Sequence, residues 1–108
     1  MNIVETHSGS RMYRVTFVPK SHVIVEFIRN GQFVSMKKFE VGDSAIYDSF
    51  QLDYVGRIKS IGVKTVTISS GWTSCSSRRL GPYEFASRNW DFDLERITKK
   101  NAETSLHI

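Results

Sequence analysis

The sequence is poor in residues that build chemical sites on their own. A single cysteine, Cys75, excludes an internal disulfide framework and a zinc cage made of cysteines. The three histidines, His7, His22 and His107, stand apart with no partner at ligand spacing, so no metal site is expected. No stretch approaches the roughly 18–20 apolar residues that a membrane-spanning helix needs. The opening residues Met1-Asn2-Ile3-Val4-Glu5 lack the basic segment and apolar run of a signal peptide. A cytoplasmic location, away from membranes, is the expectation. Gly42, Gly56, Gly62, Gly71 and Gly81 are dispersed as turn glycines, and no glycine-rich loop is present to cradle a phosphate.

What is abundant is aromatic and β-branched. The 108 residues include seven Phe, four Tyr and two Trp, with 40% apolar residues overall. That is enough for one modest core, and these residue types fit pleated surfaces. Met12 to Val18 alternates, with Tyr13, Val15 and Phe17 on one face and Arg14 and Thr16 on the other, as a half-buried strand does. Pro19-Lys20-Ser21 breaks it. Val23 to Ile28 is apolar at nearly every position, which predicts a strand buried on both faces or nearly so. Asn30-Gly31 supplies the strongest short hairpin signal, because both central residues of a type I′ turn need positive φ. Phe33 to Phe39 returns, and an unbroken strand would put those two phenylalanines on one face.

Beyond a turn at Gly42-Asp43, Ala45 to Leu52 reads as a weaker strand. Val55 to Ile61 and Lys64 to Ile68 form a hairpin, with Ile58, Val66 and Ile68 inward and Arg57, Lys59, Thr65 and Thr67 outward. Residues 69–77 make a small-residue loop around Trp72. Gly81-Pro82 followed by Glu84 suits one helical turn. Arg88 to Asp93 alternates aromatic and acidic residues, which predicts a closing strand with Trp90 and Phe92 inward; Asn89 is expected to set a turn or bond the backbone. The resulting expectation is a single all-β domain over 11–94. It comprises an antiparallel meander over 11–39 and a small bent barrel over 39–94, preceded by a flexible arm over 1–10 and followed by a polar tail over 95–108 whose polarity suits either fraying or a short helix.

Charge adds a partner class. Fifteen Lys and Arg against eleven Asp and Glu give +4, and the isoelectric point is near 9.4. Such a balance permits nucleic-acid binding without demanding it. Basic residues dominate 11–38, acidic residues 40–53, and basic residues again 57–88. The surface should therefore carry separate positive and negative zones, which solvation alone would also explain.

Two resemblances rest on these residues. Val41-Gly42-Asp43, Tyr54-Val55-Gly56-Arg57-Ile58 and Lys64-Thr65-Val66-Thr67-Ile68 together resemble the SH3-like barrels of the KOW and Tudor type, over about thirty residues. The longer combination of VGDSAIYDS, KTVTI, Arg78-Arg79 and YEFASRNWDFD is similar to small proteins carried by bacteriophages and other mobile elements. The first implies a small β-barrel that binds. The second implies an accessory protein engaging a host macromolecule, and brings no activity with it.

Catalytic arrangements are weak by comparison. Cys75 has no neighbouring histidine to act as its base. The pairs Asp48 with Asp53 and Asp91 with Asp93 are explained by solubility. The best candidate is a basic surface: Arg57 and Lys59 on one strand, Arg78 and Arg79 leaving the Trp72 loop. Arginine and lysine make phosphate contacts and an exposed tryptophan stacks on bases. Trp and Arg also dominate protein interfaces. The expected function is therefore non-enzymatic binding of a host protein, with nucleic acid as the alternative and no cofactor. The open strand edges of the meander allow a homodimer across a two-fold axis.

Overall fold

The computed structural model describes residues 1–49, 53–70 and 77–98. It shows a mostly β chain with two antiparallel four-stranded sheets. Sheet 1 is the meander β1 (Asn2–Ser8), β2 (Arg11–Val18), β3 (His22–Arg29) and β4 (Gln32–Glu40). Sheet 2 is the meander β5 (Ser44–Asp48), β6 (Tyr54–Ile61), β7 (Val66–Ser70) and β8 (Ser77–Leu80), and a helix, α1 (Pro82–Asn89), follows it. Among the described residues both sheets are open, each ending in unpaired outer strands rather than closing into a barrel.

The alternation in the sequence is realised directly. Tyr13, Val15 and Phe17 of β2 and Val23, Val25 and Phe27 of β3 are all buried, and they face one another across the ladder. Asn30 (φ 52°) and Gly31 (φ 77°) both lie in the left-handed region, as the β3–β4 hairpin requires. Ile58, Val66 and Ile68 are buried in sheet 2, while Arg57 and Lys59 are exposed. Gly56 is needed for close approach. A Cβ there would run into the Ser69 carbonyl oxygen and the Ile68 side chain of β7.

Three expectations are corrected. Residues 2–8 are not an arm but β1, paired with β2 from Asn2–Phe17 to Ser8–Arg11. Its burial alternates with Val4 turned toward the core, a pattern hidden in the sequence because exposed Ile3 is equally apolar. Phe33 and Phe39 do not share a face. A bulge in the β3–β4 ladder at Phe27/Ile28 makes Val34 an extra residue, so Phe33 is 61% exposed while Phe39 is 4% exposed. The single helical turn at Pro82 continues to Asn89, and among the described residues no strand follows. Trp90 ends the helix and Phe92 hydrogen-bonds back to Asn89 O at 3.3 Å, so both aromatics reach the core from a turn. Of the two expectations for the polar end, fraying or a short helix, the described part shows the helix, over 94–98 with Ile97 buried. The Asp93 side chain accepts hydrogen bonds from the Glu95 and Arg96 amides at its start.

One core joins the two sheets, and α1 lies against both. Phe39 meets Phe85 edge-on at 5.2 Å, and Phe27 lies 4.3 Å from Trp90, centroid to centroid. Backbone bonds complete the junction. Lys20 N–H donates to Ile61 O at 3.0 Å, Gly42 N–H to Ile58 O at 2.8 Å, and Ile58 N–H to Asp43 O at 2.8 Å.

Asn89 is fully buried and bonds to an outer strand as a neighbouring strand would. Its Oδ1 accepts from Ile46 N–H at 2.8 Å, and its Nδ2 donates to Ile46 O and to Phe85 O, each at 3.0 Å. Arg88 adds a bond from Nη1 to Tyr47 O at 3.0 Å. Truncation to Ala would strand the Ile46 main chain in the core. Asn89→Ala is expected to lower stability by about 2–4 kcal/mol in urea unfolding. A loss below about 0.5 kcal/mol would show that the bond carries little.

Tyr13 gives a pH test. Burial raises its hydroxyl pKa above the ordinary 10.0, with Arg11 acting in the opposite direction. The folded state thus keeps a proton that the unfolded chain releases first. This contribution is complete below about pH 10 and is lost as pH rises through the folded value. The urea midpoint should fall across that window, and fall less in Tyr13→Phe.

Candidate functional site

The outer face of sheet 2 collects Arg57 and Lys59 of β6 and Arg79 of β8, in a pattern set by register. Ser44, Arg57, Ser69 and Ser77 form one row across all four strands, away from the core. Ser60, Thr67 and Arg79 form the next. The β6–β7 bulge exposes two successive residues, Lys59 and Ser60, while Ile58 and Ile61 on either side stay buried. Arg57 and Arg79 are two strands apart across the sheet and two residues apart along it, on the order of 10 Å. The face consists of cations set among hydroxyl groups.

Among the described residues, Arg57, Lys59 and Arg79 make no ion pair. Arg57 is held by a hydrogen bond from Nη1 to Gly42 O at 3.1 Å, which fixes its guanidinium beside the Gly42-Asp43 turn. Arg14, Lys38, Arg78, Arg88 and Arg96 are by contrast each within 4.0 Å of a carboxylate.

Arg78 is separated from the others. It is in register with Ile68 and Ile58, hence on the core side of the sheet at its β8 edge, and it reaches Asp48 at 4.0 Å. With Tyr47, Asp48 and Tyr54 it lines a cleft of about 290 Å³. Arg78 and Arg79, adjacent in sequence, therefore serve opposite faces, as alternation in a strand requires. Trp72 and Cys75 lie outside the described residues.

A second surface escaped the sequence reading. β4 exposes Phe33, Val34 and Met36 at 61%, 50% and 57%. Met36 and Phe33 lie on the outer face of sheet 1, in register with Glu26 and Ile28 of β3. Met12 and Ile24 extend this face across β2 and β3. The available signal was the run Phe33-Val34-Ser35-Met36, whose apolar residues outnumber what one buried face can take.

The described residues hold no cluster of three or more potential metal ligands and no helix long and apolar enough to cross a membrane. The chain matches no family model, no curated protein and no solved structure.

The Arg78–Asp48 pair is solvent-exposed and at the limit of ion-pair distance. A double-mutant cycle with Arg78→Gln and Asp48→Asn is expected to give a coupling below about 1 kcal/mol. A coupling of several kcal/mol would instead mark the cleft as a desolvated, built site.

Proposed function

We propose that this chain is a non-enzymatic binding protein that engages an acidic surface with the outer face of sheet 2. The partner is a host protein, and the chain is a small cytoplasmic accessory protein of the bacteriophage or mobile-element kind. The observation that carries this reading is the cluster of Arg57, Lys59 and Arg79, without carboxylate partners among the described residues, in a molecule whose other arginines are often paired. Such cations need no internal ion pair broken before they meet a partner's carboxylates. The resemblance to mobile-element proteins supports the host as the source. An SH3-like module over 39–94 belongs to the same proposal. It is supported by the two bonds that tie the Gly42-Asp43 turn to Ile58 of β6.

Nucleic acid is the second reading, and one observation favours it. Ser44, Ser69 and Ser77 share a row with Arg57, and Ser60 and Thr67 with Arg79. Hydroxyls and guanidinium groups are the side chains that phosphate oxygens take.

Affinity capture from host lysate, with and without nuclease and at two salt concentrations, separates the readings. A protein retained through nuclease and moderate salt, and lost in Arg57→Glu/Arg79→Glu by about tenfold or more, is the expected result. Recovery of nucleic acid alone, with log affinity falling linearly in log salt, would replace the protein reading by the second. Undiminished capture by the double variant would move the site elsewhere, with Trp72, Arg78 and Lys59 the next residues to replace.

A further inference from the structure

The fold treats its strand edges unequally. β5 is covered by α1 through Asn89 and Arg88. β8 is only four residues long. β1 lies against α1. β4 is nine residues long, and among the described residues β3 is the one element it packs against broadly. Its free edge therefore presents an unpaired ladder flanked by Phe33, Val34 and Met36, the combination that templates strand addition.

We propose that β4 pairs with β4 of a second copy of this chain, antiparallel across a two-fold axis at Met36, joining two copies of sheet 1 into one eight-stranded sheet. Three observations select this occupant. The first is charge. In a two-fold antiparallel pair, a centre on Lys37 or Lys38 sets a lysine against its own copy, and a centre between them sets Lys37 against Lys38; like charges directly opposite are destabilising. A centre on Met36 avoids this. Lys38 then lies opposite Val34, and the regular ladder runs from Val34 to Lys38 of each copy, ending where the bulge turns Phe33 away from the face of Phe39.

The second observation is what each Lys37 meets. The Met36-centred register places Lys37 of the second copy directly opposite Ser35, a small uncharged residue on the same face of the joined sheet. The third is self-complementarity. The outer face beside β4 is apolar at Met12, Ile24, Ile28, Phe33 and Met36, and its Glu5–Arg14–Glu26 stripe is already internally paired. A neutral apolar face suits its own copy better than a charged partner. The surface is distinct from the basic face of sheet 2, and pairing through β4 leaves that face available twice.

Sedimentation equilibrium of the full chain tests this. Dimer is expected, and Met36→Lys, which sets two charges against each other on the axis, should weaken it by about tenfold or more, with Met36→Leu close to the parent. Circular dichroism would show all three folded alike, since Met36 is a surface residue. Register is read by cross-linking in a Cys75→Ser background. Met36→Cys should oxidise to a covalent dimer, because residues opposite each other on the axis have Cα atoms about 4.5–5.5 Å apart. Lys38→Cys should not, its two copies lying about 14 Å apart along the strand. A monomer at every concentration overturns the proposal. So does a dimer indifferent to Met36→Lys, or one that cross-links as well through position 38 as through 36.

Discussion

The arrangement of this molecule depends on one buried amide. Asn89 holds the end of α1 to the outer strand of sheet 2 by bonding both main-chain groups of Ile46. An asparagine offers one acceptor and two donors at its amide, and here a third bond to Phe85 O uses the remaining donor. The side chain is thus satisfied inside the core, where an unsatisfied amide would cost more than the bond gains. Because α1 also carries Phe85 into contact with Phe39 of sheet 1, the same residue fixes the helix as the joint between the two sheets.

From this joint follows the division of the surface. With one edge of sheet 2 occupied by α1, the outer face of that sheet remains a flat lattice of hydroxyls and cations. Its arginines are aimed by strand register and, for Arg57, by a bond to the Gly42 carbonyl. Sheet 1 has the opposite character. Its inner face fills the core, and its outer face keeps apolar residues running out to β4, which pairs with β3 alone among the described residues. The two sheets present chemically different outer faces on one core, one of cations and hydroxyls and the other largely apolar.

Much of the fold could be read from the sequence because it rests on local periodicity. The alternation of Tyr13, Val15 and Phe17, the Asn30-Gly31 turn and the inward Ile58, Val66 and Ile68 are properties of neighbouring residues. What could not be read depends on distant partners. β1 is a strand because β2 lies beside it, and its Ile3-Val4 pair gives no clear period alone. The bulge at Val34, which turns Phe33 outward, is a property of two paired strands and leaves no mark in either one. Arg88 to Asp93 has a strand's alternation, yet its first two residues belong to a proline-initiated helix that ends where Asn89 bonds Ile46, forty-three residues away. In the candidate site, Arg57 and Lys59 were legible as outward residues. The split of Arg78 from Arg79 follows from β8 being a strand, where a loop had been expected to present them together.

Residue-resolved amide hydrogen exchange tests the central role of Asn89 most directly. If its side chain completes sheet 2, the Ile46 amide is protected to nearly the global unfolding free energy, like the amides of inner strands β6 and β7. Exchange of Ile46 at the rate of an uncovered edge amide, with β6 and β7 still protected, would contradict that role and leave α1 as a helix packed on the sheets rather than the element that joins them.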